Sequence, residues 1–106
     1  MHQGLLSELL AIPGVLQTTL TDADGLIVEN TGEREKMDAI ISDIVAIIEN
    51  SNTEISRLTI EAEEGLILAD VLDDGRMVIT KFSNEANLGK VRSLSSKIAQ
   101  DFINKD

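Results

Sequence analysis

The sequence predicts an α+β layered domain, a five-stranded antiparallel sheet flanked by helices in the order helix, strand, strand, helix, strand, strand, strand, helix. Two observations carry this. Apolar residues recur at helical spacing in three segments, and five short apolar runs lie between them. Acidic-Gly pairs at Asp24-Gly25, Glu64-Gly65 and Asp74-Gly75 separate successive runs, as hairpin turns do. Hairpins make the sheet antiparallel, and amphipathic helices must cover its faces. The 106 residues suit one domain, spanning 1–106. A chain of this size buries somewhat over ~60% of its unfolded surface, enough for a core but not for a deep substrate pocket.

Leu5, Leu6, Leu9, Leu10 and Ile12 give a first amphipathic helix over residues 3 to 12. Pro13-Gly14 ends it, because proline disfavours a helical residue before it and glycine permits an unusual dihedral after it. Residues 15 to 21 are β-branched and Thr-rich, hence a strand, and Leu26-Ile27-Val28 is its return. The intervening Asp24-Gly25 reads as a type I′ turn, which needs positive φ at both positions.

The long helix is expected from Glu33 to about Asn52, roughly 30 Å at ~1.5 Å per residue, with Glu33 and Glu35 at its positive end. Met37, Ile40, Ile41, Ile44, Val45, Ile47 and Ile48 form an apolar stripe about 160° wide at 100° per residue. Ala39, Ser42 and Ala46 lie on the opposite side, a small-residue ridge that admits a close neighbour or simply reflects alanine's helix propensity.

Leu58, Ile60 and Ala62 alternate with polar residues, so this strand is buried on one face. Leu66 to Ala69 is continuously apolar, as in a strand covered on both faces, and Met77, Val78 and Ile79 form the last strand. The final helix, about 85 to 104, presents Leu88, Val91, Leu94, Ile98 and Phe102 on one side.

Composition narrows the function. With 19 acids against 9 bases the net charge is −10, so a phosphate backbone or an anionic membrane is repelled, and no nucleic-acid partner or membrane insertion is expected. Residues 85 to 106 carry a net +1, which leaves −11 on the remainder, a field that serves solubility or steers a basic partner. Phe82 and Phe102 are the only aromatics, so nothing is available to stack on bases or sugars. The absence of cysteine removes disulfides, thiolate nucleophiles and thiolate metal sites, and fits the cytoplasm. The N-terminus lacks the basic and long apolar regions of a signal peptide, and no apolar stretch approaches the ~18 residues of a membrane span.

Catalytic chemistry is missing as well. His2 is the single histidine and falls in a terminus expected to fray, which argues against a His-based triad or zinc site. Asp22-x-Asp24-Gly25 resembles part of a calcium loop, but Leu20 and Thr31 stand where that loop needs Asp and Glu. Asp70, Asp73 and Asp74 cluster near a turn and read as solvated. No P-loop occurs, and Gly89 lacks the partner glycines of a dinucleotide fingerprint, which leaves it close packing at the helix start. No metal, no cofactor and no enzymatic activity are expected.

Ile12-Pro13-Gly14-Val15, the Asp24-Gly25 turn, Gly75, and Asn87-Leu88-Gly89 with Arg92 opening the last helix stand in an order that resembles the Roadblock/LC7 family, whose fold is profilin-like. The resemblance covers nearly the whole chain. It implies a dimer in which the strand after the long helix pairs with its copy and the long helices pack together on one face. The chain supports this: the Leu58–Ala62 strand has no proline and little central charge to block edge pairing, and the helix stripe is wider than one small sheet face needs. The expected dimer interface is Ile40, Ile41, Ile44, Ile48, Leu58, Ile60 and Ala62, with Ala39, Ser42, Asp43 and Ala46 meeting a further partner. Members similar to this chain bind a small Ras-like GTPase and stimulate its GTP hydrolysis by repositioning the GTPase's own residues. Others are light chains of motors or subunits of scaffolds. Some bacterial regulators carry a C-terminal extension beyond the last helix, so GTPase binding is expected here ahead of stimulated hydrolysis. Arg34, Arg57, Arg76 and Arg92 each have a local explanation, Arg92 that of tying down a nearby carboxylate or carbonyl, so no arginine finger is expected. The function implied is a non-enzymatic dimeric regulator or scaffold for a small GTPase, with a structural light-chain-like subunit as the alternative.

Overall fold

The computed structural model describes residues 2–105, with side-chain surroundings for residues 6–102. The side chains of His2 and Leu5 therefore lie outside the described residues. The elements are α1 (His2–Leu10), β1 (Val15–Thr21), β2 (Ile27–Asn30), α2 (Arg34–Glu49), β3 (Arg57–Ala62), β4 (Gly65–Val71), β5 (Met77–Phe82) and α3 (Leu88–Lys105). The sheet runs β2-β1-β5-β4-β3, antiparallel throughout, so the predicted order and class hold. β1 and β5 bring the two halves of the chain together at its centre, and β2 and β3 form the edges.

Each sheet face carries its own core. On one, Leu6, Leu9 and Ile12 from the N-terminal segment and Val91, Ile98 and Phe102 of α3 pack on Leu20, Leu68, Val78 and Phe82. On the other, Met37, Ile41 and Ile44 of α2 cover Ile67, Ala69, Met77 and Ile79. The alternation within β4 explains its continuous apolar sequence: Leu66 and Leu68 face the first core, Ile67 and Ala69 the second. With both faces taken up, burying each of these large side chains contributes roughly 1.5–3 kcal/mol.

The β1–β2 turn departs from the type I′ geometry. Gly25 has φ +84°, but among the described residues none other than glycine has positive φ. The Asp22 carbonyl accepts from the Gly25 amide and the Asp22 amide donates to the Leu26 carbonyl, while Asp22 Oδ1 takes the amides of Asp24 and Leu26 at 2.9 Å each. This is a type I turn closed by a left-handed glycine. The carboxylate of Asp22 satisfies two loop amides, so only one residue needs positive φ. The Leu72–Arg76 loop repeats the plan: the Leu72 amide donates to Arg76, the Gly75 amide to Leu72, and Gly75 has φ +96°.

Gly65 is required for a different reason. A Cβ there would stand 2.1 Å from the Phe82 carbonyl oxygen in the neighbouring strand. Gly65→Ala is expected to destabilise the domain by about 2 kcal/mol or more, because backbone of a central strand cannot retreat. Urea unfolding measures this, and a midpoint equal to wild type would contradict the close approach.

The helices are shorter than their periodicity suggests. α1 stops at Leu10, since residues 11 to 14 form a turn in which the Val15 amide donates to Ile12. α2 ends at Glu49, where the Asn50 side chain donates to the Ala46 carbonyl at 2.8 Å, a second bond beside the one that carbonyl accepts from the Asn50 amide at 3.1 Å. α3 starts at Leu88, because the Asn87 side chain caps it by accepting from the Lys90 amide at 3.1 Å. Gly89 does not have the close-packing role expected of it. It is exposed, and an added Cβ would meet nothing nearer than Asn87 Oδ1 at 3.5 Å, so no close packing demands a glycine there. Pro13 is exposed in the α1–β1 turn, and Gly14 accepts from the Ser83 amide and lies against Ala86.

Candidate functional site

The site grows out of the mismatch between a wide apolar helix and a narrow sheet. Around α2, Met37, Ile41 and Ile44 point into the sheet, and Ile44 is fully buried. Ile40 and Ile48 are half-buried, and Ile47 is 42% exposed. One flank of the stripe, Ile40 and Ile47, hangs over the β3 side of the sheet. There Ile40, Asp43, Ala46 and Ile47 of α2 face Ile60 and Ile67 across a groove of about 430 Å³. Ile67, 4% exposed, is its floor.

The expected interface residues divide accordingly. Ile40 and Ile60 line the groove. Ile41 and Ile44 do not: they are consumed inside the protomer core, so their surface is not open to a second chain. Leu58, Ile48 and Ile60 pack partly on that core, and Ala62 is exposed at the end of β3. Of the residues assigned to a further partner, Asp43 and Ala46 belong to the groove, whereas Ala39 and Ser42 are exposed elsewhere on α2. Sequence reasoning misses Ile47 and Ile67 as groove residues. Ile47 sits at the margin of the helical stripe, which is a usable signal, but nothing local marks Ile67.

The sheet edge beside the groove is open to pairing. β3 pairs with β4 through six residue pairs from Arg57–Asp70 to Ala62–Gly65 without a bulge. β2, at the other edge, is four residues long, and its register against β1 shifts between Leu20 and Thr21. A bulged, short edge resists strand addition and a regular one accepts it.

A polar clamp holds β3 in place from behind. Arg57 donates from Nε to Asp70 Oδ1 at 2.6 Å and from Nη2 to Oδ2 at 3.0 Å. The same guanidinium reaches the Arg92 carbonyl at 3.1 Å and the Ser96 hydroxyl, and buried Ser95 donates to Asp70. Asp70 is thus not a solvated turn acid; it lies in β4, 6% exposed, and ties β3 and β4 to α3. The hydrogen bond from Arg57 to Asp70 raises the Arg57 pKa above its ordinary value. Arg92 contributes its backbone carbonyl to this network and its side chain is exposed, so the local tie runs from Arg57 to Arg92 rather than outward from the Arg92 guanidinium.

Two exposed carboxylates near the strand ends are held below their usual range, Glu64 chiefly by its bond to Lys81 and Asp74 chiefly by the Arg76 amide. A lowered folded pKa means a contribution present above the ordinary carboxylate value and lost as pH falls through the folded one. Stability is therefore expected to decline only on acidification below about pH 4 from these groups, readable in thermal melts from pH 7 to pH 3.

Among the described residues no group of three or more His, Asp or Glu side chains is placed to hold a metal ion, and no helix is long and apolar enough to cross a membrane.

Comparisons with protein-family profiles and with curated proteins each found no match. Solved structures do match. A Roadblock/LC7 domain from Streptomyces avermitilis superposes with a TM-score of 0.76 at 15% identity, covering 96% of this chain and 94% of that one. The chain has the Roadblock/LC7 fold. A second Roadblock-type likeness is the gliding protein MglB from Thermus thermophilus, TM-score 0.76 at 14% identity over 92% of this chain and 82% of that one. The profilin-like character shows in LokiProfilin2, solved with rabbit actin, at TM-score 0.66 and 17% identity over 96% and 95% of the two chains. At these identities the likeness establishes the Roadblock/LC7 fold alone.

Proposed function

We propose that the protein is a non-enzymatic, self-associating regulator or scaffold that binds a small Ras-like GTPase. The observation that carries this is the groove itself: Ile40, Ile47 and Ile60 leave apolar surface beside a regular edge strand, within one continuous face. A two-fold contact through that face joins the β3 strands into one sheet and buries the outer flank of α2 against its copy. The GTPase then meets the outward surface of the paired helices, around Ser42, ringed by the acids Glu35, Asp38 and Glu49. The resemblance to Roadblock regulators and the shared fold support a GTPase as the partner, and the lack of His, Cys and Tyr beyond His2 supports regulation without chemistry of its own.

Two measurements test the reading. Sedimentation equilibrium should give twice the 11.5 kDa protomer mass. Affinity capture with GDP or a non-hydrolysable GTP analogue, followed by titration of the captured GTPase in purified form, should give binding that prefers the GTP state. Binding indifferent to nucleotide would make the protein a constitutive light-chain-like subunit, and hydrolysis unchanged at saturation would leave scaffolding without stimulation.

A further inference from the structure

We propose that Asp43 is the residue that decides which chain pairs across the groove, by facing its own copy when the protein pairs with itself. This rests on the two-fold reading above.

The argument starts from position. Asp43 is the one charged residue lining the groove among the described residues, and it stands between Ile40 and Ile47, one helical turn from each. Across the groove is Ile60, in the middle of β3. A two-fold axis that pairs β3 with its copy through its middle passes beside the groove that Ile60 and Asp43 both line, and Asp43 is the mid-point of the α2 residues on its wall. An antiparallel helix contact centred there matches large residues with small ones. Ile40 meets the partner's Ala46 and Ile47 meets the partner's Ala39, so four isoleucines find alanine hollows of the kind ridge-into-groove packing needs. The same register sets Asp43 against the partner's Asp43. Neither base of α2 relieves this pair. Arg34 and Lys36 lie at the helix start, about two turns away, and Lys36 is bonded to Glu33 at 3.4 Å.

The consequence is a fit that is good in shape and poor in charge. Two carboxylates some ~6–8 Å apart at a half-wet interface weaken the homodimer by on the order of tenfold. A chain of the same fold that offers Lys or Arg at this position converts the penalty into an attraction, so Asp43 selects for an unlike partner and keeps self-association reversible.

The test is a set of dissociation constants for the full chain by sedimentation equilibrium. Asp43→Asn is expected to tighten the homodimer about tenfold. Asp38→Asn, which removes the same charge from an exposed position of α2 outside the groove, should leave it within about twofold, which separates a local effect from the net charge of −10. Native mass spectrometry of wild type mixed with Asp43→Lys should show the mixed dimer well above its statistical half. Equal constants for wild type and Asp43→Asn, with statistical mixing, would overturn the role of Asp43 while leaving the dimer intact. If all variants stay monomeric at millimolar concentration, the two-fold reading itself fails and this inference with it.

Discussion

Ile60→Asp is expected to turn the dimer into a folded monomer, with self-association weakened at least a hundredfold. Ile60 lines the groove from the edge strand and is only half-buried in the protomer. A carboxylate there stays wet in the monomer and becomes an unpaired charge in the dimer, a loss of several kcal/mol at an interface centre. The paired experiment is Ile44→Asp. Ile44 lies in the same apolar stripe but has no exposure at all, packed in the α2-side core. A charge at that position is expected to remove about 4–5 kcal/mol or more, comparable to the whole stability of a domain this size, and so to unfold it. Circular dichroism and light scattering on the two variants separate the cases. A folded Ile44→Asp protein, or an Ile60→Asp protein of unchanged mass, would contradict the division of the stripe between core and interface.

The second large effect is at the clamp behind β3. Asp70→Ala is expected to destabilise the domain by about 3 kcal/mol, because it leaves Ser95 and the inner face of the Arg57 guanidinium without their acceptor. Arg57 is partly open to water, its side chain 33% exposed, so its own removal strands Asp70 with only the Ser95 hydroxyl and solvent reaching past a thinned edge; a smaller loss, about 2 kcal/mol, is expected for Arg57→Ala. The clamp also joins the proposed pairing edge to α3, so both variants should loosen self-association along with the fold. Urea unfolding monitored at concentrations below and above the dimer constant resolves the two contributions. A loss under 1 kcal/mol for Asp70→Ala would mean that the network is not holding the strand.

Much of the architecture is legible from the chain. Element order follows from periodicity and from the acidic-Gly turns, and β1 keeps its expected bounds at Val15–Thr21. Errors gather where a side chain caps or closes. Asn50 and Asn87 shorten the helices, and Asp22 replaces a type I′ turn with a type I turn, because these polar groups bond local backbone in ways that apolar periodicity does not register. Of the site, Ile40 and Ile60 are named from the sequence as interface residues and Asp43 and Ala46 as partner-facing ones, but the separation of Ile40 from the core residues Ile41 and Ile44 is not readable there. From the sequence the clamp reads as two unrelated pieces, since Arg57 and Asp70 are thirteen residues apart and meet only through the β3–β4 register.

The sequence alone determined the class of fold, the positions of the turns, the absence of thiol chemistry from its residue types, and the presence of one helix with more apolar surface than a small sheet requires. It did so because helical and strand periods, turn preferences and composition are local properties. The tertiary structure decided which isoleucines of that helix are core and which are groove, which sheet edge is regular enough to accept a strand, and that a lone carboxylate stands in the middle of the apolar groove. Those depend on where α2 lies across the sheet and on strand register. Both are set by packing between residues far apart in the chain, which a helical angle measured from sequence cannot specify.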